Sequence, residues 1–104
     1  MKKPEKIIIV IADWEEASKY VIKACKELAE EKGIEVEERK EDYEFLSKYG
    51  VKNEFGGLDI PQVFIKYADG KIEYVMSRVP LNERGKPDIE EAKKTILKKI
   101  EGSP

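Results

Sequence analysis

The stretch Ile7-Ile8-Ile9-Val10-Ile11-Ala12 decides the fold class of this 104-residue chain. Its six consecutive apolar residues predict a strand covered on both faces, because a strand with one face in water would alternate apolar and polar residues. The run is too short for the apolar part of a signal sequence and far too short to cross a bilayer. We therefore expect a central strand with helices on both sides of its sheet.

A helix is predicted directly after this strand. Asp13 with Glu16 three residues later resembles a capping box, and apolar residues then recur at helical spacing. We expect this helix to run from about Trp14 to Lys32 and to be closed by Gly33.

The rest of the chain predicts three more strands and two more helices. Ile34 and Val36 alternate with glutamates in a half-buried second strand. Next come a short helix over 42–50 that Asp42 can cap, a strand over 60–65 opened by a proline, a hairpin turn at 68–70 and a strand over 71–77. A last helix over 88–100 begins with a second capping box, formed by Asp88 and Glu91. The order is βαβαββα, and the final Gly-Ser-Pro is expected to fray.

Charge and composition exclude several functional classes. The chain has 20 Lys and Arg against 22 Asp and Glu, and the two signs are interspersed, so the basic surface typical of nucleic-acid or membrane binding is not expected. It has no histidine and one cysteine, which excludes an intramolecular disulfide and the usual zinc and histidine-based catalytic sites. We expect a cytoplasmic protein with no cofactor, no metal, no nucleic-acid partner and no membrane partner.

The balance of residue types also predicts high stability. Charged residues make up 40% of the chain, whereas Gln occurs once and Asn twice. Hyperthermophile proteins share this bias with computationally designed ones, so a natural and a designed origin both fit the composition.

The element order and two short stretches resemble the thioredoxin superfamily. Lys48-Tyr49-Gly50-Val51 is similar to the KYGV that ends the second helix of thioredoxins. Ile60-Pro61-Gln62-Val63-Phe64-Ile65 is similar to the VPQVFI of glutaredoxins, whose proline is cis. The resemblance implies one thioredoxin-like α/β domain over residues 1–104 with a cis Ile60–Pro61 bond. Its four-stranded mixed sheet would have the order 2-1-3-4, with the first and last helices on one face and the second helix on the other.

The paired cysteines of this superfamily are missing. Its W-C-x-x-C-K motif aligns with Trp14-Glu15-Glu16-Ala17-Ser18-Lys19, so Glu15 and Ser18 stand at the cysteine positions. In the family the first thiolate is stabilised by the start of the helix. Glu15 keeps the negative charge there, and a catalytic role would need a second titratable partner and a shifted pKa. We expect no disulfide reductase activity, since no dithiol is present.

The resemblance also implies a candidate binding site, formed by Trp14, Glu15, Ser18, Ile60 and Pro61. In the family the residue before the cis-proline, here Ile60, offers its backbone to an extended peptide or to the cysteine portion of glutathione. The main hypothesis is a redox-inactive, monomeric scaffold, natural or designed, that at most binds a peptide or partner protein there. The alternative is an enzyme that uses glutathione or another thiol, with Ser18 or backbone amides orienting the sulfur.

Several candidate residues also have a purely structural interpretation. Pro61 is able to serve the fold alone, and Trp14 is either an exposed aromatic platform or part of the apolar edge of the first helix. Cys25 shares the apolar face of that helix, which predicts a buried and inert thiol. The aromatic residues around the second helix are expected to be mostly core, with one exposed; they are Tyr43, Phe45, Tyr49 and Phe55.

Overall fold

A computed structural model describes residues 3–102 of the chain. In chain order the elements are β1 (Pro4–Ile11), α1 (Ala17–Lys32), β2 (Glu35–Lys40), α2 (Tyr43–Tyr49), β3 (Gln62–Tyr67), β4 (Ile72–Met76) and α3 (Ile89–Ile100). The predicted order βαβαββα is confirmed. Ser103 and Pro104, on which the prediction of a frayed end rests, lie outside the described residues.

The strands form one mixed sheet in the predicted order β2-β1-β3-β4. β1 runs parallel to β2 and antiparallel to β3, and β3 and β4 form an antiparallel hairpin. Val10 of β1 lies opposite Gln62 at the start of β3, and Val63 lies opposite Met76 at the end of β4. The ends of β1, β2 and β4 and the start of β3 therefore share one end of the sheet.

Both faces of β1 are buried, as its unbroken apolar run predicts. Ile7, Ile9 and Ile11 pack in a cluster with apolar residues of α1 and α3, whereas Ile8 and Val10 pack with α2. Burying one such side chain contributes about 1.5 to 3 kcal/mol. The predicted placement of α1 and α3 on one face and α2 on the other is confirmed.

The first helix begins later than the sequence predicts. α1 starts at Ala17, not at Trp14, and Glu16 at its N-cap position makes no side-chain cap. The Glu15 carboxylate accepts the N–H of Ala17 at 3.2 Å instead, so the cap comes from one residue further back. The other end is as predicted, because Gly33 adopts the left-handed conformation (φ 66°) that closes a helix.

The caps predicted for the other two helices are confirmed. Asp42 accepts the N–H of Phe45 and Asp88 accepts the N–H of Glu91, both at 3.0 Å. Each such cap contributes about 1 kcal/mol. The Glu91 side chain does not complete the second capping box by accepting the N–H of Asp88, because that N–H donates to the carbonyl of Pro80 at 2.7 Å.

One fully buried polar side chain, Gln62, holds both ends of the loop between α2 and β3. Its Oε1 accepts the N–H of Val51 at 3.1 Å, and its Nε2 donates to the carbonyls of Val51 at 3.1 Å and Asp59 at 2.9 Å. Gly50 fits beside this amide because a Cβ there would lie 2.8 Å from Gln62 Oε1 and 2.7 Å from the carbonyl oxygen of Leu46. The close approach therefore requires glycine.

The turn from β2 to α2 generates a stability prediction. Glu41 has φ 46° and is the only non-glycine residue with positive φ within the range 3–102. A residue with a side chain loses roughly 1 to 2 kcal/mol of stability in this left-handed backbone conformation. Glycine avoids that steric cost, but part of the benefit is offset because glycine makes the unfolded chain more flexible. We expect Glu41→Gly to raise the free energy of unfolding by about 0.5 to 1 kcal/mol, measured by urea denaturation.

Glu44→Gly is the matched control, because Glu44 is exposed inside α2. The free energy of unfolding of Glu44→Gly should be about 1 kcal/mol lower than that of the parent, which is the usual cost of glycine in a helix. A loss of stability at position 41 similar to that at position 44 would show that Glu41 is not strained.

Candidate functional site

Four connections meet at one end of the sheet, and we call this surface the loop end; it consists of residues 12–16, 41–42, 50–61 and 77–88. The register of the strands requires this, since β1, β2 and β4 finish at that end and β3 starts there. Trp14 and Glu15 lie on the first of these connections, and Ile60 and Pro61 lie on the third. The fold thus brings residues that are 45 positions apart in the chain to the same end.

Trp14 lies on a turn whose neighbouring residues form ion pairs with both edges of the sheet. Its side chain is 65% exposed, so it is not part of the buried apolar edge of the helix. Asp13 pairs with Lys40 at 3.3 Å, and Glu15 lies 3.7 Å from Arg78. The capping box predicted for Asp13 is wrong because this carboxylate turns toward the end of β2. Exposed pairs of this kind contribute at most about 1 kcal/mol each.

Glu15 and Ser18 both satisfy backbone N–H groups where β1 passes into α1. The Glu15 carboxylate caps Ala17, as described above. Ser18 is only 3% exposed, and its Oγ accepts the N–H of Ala12 at 3.2 Å. The hydroxyl therefore faces the end of the strand and is not presented to a molecule in solution.

Ile60 and Pro61 are buried side chains on a backbone that has free polar groups. The Ile60–Pro61 bond is cis, as predicted. Ile60 is 6% exposed and packs in the same cluster as Ala12, just before the Trp14 turn. Neither the N–H nor the carbonyl of Ile60 has a backbone hydrogen-bond partner within the described residues. The N–H and carbonyl of Ile60 are therefore the polar groups of this segment that have no backbone partner in residues 3–102.

Two connections of the loop end share one local structure that the sequence analysis missed. Asn53-Glu54-Phe55-Gly56 and Asn82-Glu83-Arg84-Gly85 follow the same Asn-Glu-X-Gly pattern. In each, the asparagine Oδ1 accepts two backbone N–H groups, and the glycine, with φ 81° or 73°, donates to the asparagine carbonyl. Type I turns favour asparagine at the first position and glycine at the fourth, so the pattern was detectable in the sequence.

These turns carry exposed side chains at their tips. Phe55 is 90% exposed, and Leu81 beside the second turn is also exposed. The expectation of a single exposed aromatic around α2 is wrong, because Tyr43 is exposed as well as Phe55. Phe45 is buried as predicted, where its ring lies 4.8 Å from Tyr49 and 5.0 Å from Phe64, centroid to centroid.

Across residues 3–102 no group of three or more potential ligand side chains is arranged to hold a metal ion. No helix in that range is long and apolar enough to cross a membrane. No known protein family matches the chain, and neither a curated protein nor a solved structure is significantly similar to it.

Cys25 is fully buried in α1, as the sequence predicts. Burial raises the pKa of its thiol to about 12. The thiolate is the reactive form, and at pH 8 such a thiol is ionised to roughly one part in ten thousand.

We expect native Cys25 to react very slowly with Ellman's reagent at pH 8 and rapidly once the protein is unfolded in guanidinium chloride. Ser47→Cys in a Cys25→Ala background gives the reference rate, since Ser47 is exposed on α2. Native Cys25 should be slower than this reference by at least about a hundredfold. Comparable rates would mean that the thiol is accessible in the folded protein.

Proposed function

We propose that this chain is a thioredoxin-like domain without dithiol chemistry, and that its loop end binds an extended peptide segment of a partner protein. The thioredoxin-like part of the proposal is supported by the element order, the sheet order 2-1-3-4 and the arrangement of the helices. The cis-proline before β3 agrees with the same resemblance.

The observation that carries the binding proposal is the unpaired backbone of Ile60, which lies at the same end of the sheet as the exposed ring of Trp14. An extended peptide that pairs with a free backbone segment gains main-chain hydrogen bonds, while nearby side chains select its residues. A tryptophan supplies a large amphipathic contact surface, and such residues dominate the energy of many interfaces.

Binding is favoured over catalysis because the residues at the cysteine positions are already engaged. Glu15 caps Ala17, and Ser18 is buried against Ala12. The alternative of a thiol-using enzyme would require Ser18 or nearby amides to reach a bound sulfur, and the burial of Ser18 does not support this. A stable binding scaffold, natural or designed, is the function that the site supports best.

The binding proposal is tested by selecting from a display library of random twelve-residue peptides against the folded protein. We expect selected peptides to change the fluorescence of Trp14, which is the sole tryptophan and therefore reports directly from the loop end. Trp14→Ala should weaken their affinity about thirtyfold, equal to about 2 kcal/mol, measured by calorimetry because the variant has no tryptophan.

Lys94→Ala serves as the control, because Lys94 is exposed on α3 outside the loop end. It should leave the affinity within about twofold of the parent. Selected peptides that bind Trp14→Ala as tightly as the parent would place the binding surface elsewhere. Failure to select any peptide would count against the function itself.

The thioredoxin-like part is tested by the double variant Glu15→Cys, Ser18→Cys. The N–H of Ser18 donates to the carbonyl of Glu15 at 3.0 Å, and a turn closed in this way brings its end Cα atoms within about 7 Å. Disulfides span Cα separations of about 4.4 to 6.8 Å. We expect a reversible intramolecular disulfide, seen as the loss of two hydrogens by mass spectrometry, and measurable reduction of insulin.

The single variant Glu15→Cys is the control for this experiment. Its only second thiol is Cys25, which is buried deeper in α1, so no intramolecular disulfide should form. If the double variant stays reduced under mild oxidation, the alignment of residues 14–19 with the W-C-x-x-C-K motif is wrong.

A further inference from the structure

The peptide unit between Asp59 and Ile60 has a fixed orientation, and a buried side chain fixes it. Gln62 Nε2 donates to the carbonyl of Asp59 at 2.9 Å. In a planar trans peptide the carbonyl and the N–H point in opposite directions. The N–H of Ile60 therefore points away from the buried amide, and it has no backbone acceptor within the part of the chain that the structure describes.

The amide of Gln62 has only one satisfactory orientation. Both hydrogens of Nε2 are used, one for Val51 and one for Asp59, and Oε1 accepts from Val51. Turning the amide over would place Oε1 against two carbonyl oxygens and would leave the N–H of Val51 facing a donor. Since Gln62 is fully buried, solvent does not compete for these groups.

We propose that Gln62 is the positioning residue of the binding edge: by holding the carbonyl of Asp59, it aims the N–H of Ile60 at the partner peptide. This inference rests on the proposed function, because it assigns a task to Gln62 within that site. Gln62 does not touch the peptide. It sets in advance the direction of a donor that would otherwise turn freely with the loop, and a donor fixed beforehand loses less entropy on binding.

Asn53 provides a matched control within the same loop. Its Oδ1 accepts the N–H groups of Phe55 and Gly57, and its Nδ2 donates to the side chain of Asp59 at 3.2 Å. None of these bonds involves the carbonyl of Asp59. Asn53→Ala therefore loosens the loop and leaves the peptide unit before Ile60 held by Gln62.

The direct test measures the orientation of the Ile60 N–H by residual dipolar couplings in a weakly aligned NMR sample. The probe variant is Gln62→Met, which keeps a similar volume and removes all three hydrogen bonds. We expect the coupling of Ile60 to change in Gln62→Met and to stay at its parent value in Asn53→Ala, while couplings in α1 and α3 stay constant in both. An unchanged Ile60 coupling in Gln62→Met overturns the proposal.

The second test uses a display-selected, Trp14-dependent peptide as the probe. Its dissociation constant should rise about tenfold in Gln62→Met and by a clearly smaller factor in Asn53→Ala, which loosens the same loop but leaves the carbonyl of Asp59 held. Equal weakening in both variants overturns the positioning role, because that pattern reports general loosening of the loop. If no such peptide is selected, the proposed function fails, and the dipolar couplings still decide whether Gln62 orients the Ile60 N–H.

Both variants are made in the Glu41→Gly background, which is expected to offset part of their loss of stability. If Gln62→Met remains unfolded there, Gln62→Asn replaces it, because the side chain keeps a neutral amide but is one methylene shorter, which draws the donor away from the carbonyl of Asp59. Its Ile60 coupling should differ from that of the parent. An unchanged coupling in this variant overturns the proposal in the same way.

Discussion

The structure depends on one strand that water touches on neither face. The side chains from Ile7 to Ile11 are almost wholly removed from solvent, so helices have to cover the sheet on both sides. The covering is uneven, because α1 and α3 share one face and the two-turn helix α2 covers the other alone. The loop that leaves α2 therefore needs its own internal support, and the buried amide of Gln62 supplies it.

Most of the fold was predictable because its signals are local. The apolar run of β1, the caps at Asp42 and Asp88 and the closing Gly33 each depend on residues within a few positions. The prediction failed at Asp13, where an ion pair with Lys40, 27 positions away, replaced the local cap. The role of Gln62 was equally hidden, although a lone polar residue within an apolar strand was a signal that a buried amide needed partners.

The candidate site was predictable in position but not in chemistry. A family resemblance placed Trp14 and Ile60 together, and the fold brings their connections to one end of the sheet. The sequence did not reveal that Glu15 and Ser18 each satisfy a backbone N–H at the junction of β1 and α1. At this junction, side chains that were candidates for chemistry are used to complete the strand-to-helix turn.

In the two Asn-Glu-X-Gly turns, the residues that hold the turn together are different from the exposed tip residues that a partner would contact. The asparagine side chain and the glycine backbone give these turns their shape. At the tips, Phe55 and Arg84 take part through their backbone N–H groups, and within residues 3–102 their side chains make no hydrogen bond to the turn. Exchanging exposed tip side chains usually alters stability by no more than about 0.5 kcal/mol. The pair is therefore a natural place for sequence diversification, where new specificity could be grafted or could evolve while the architecture beneath stays constant.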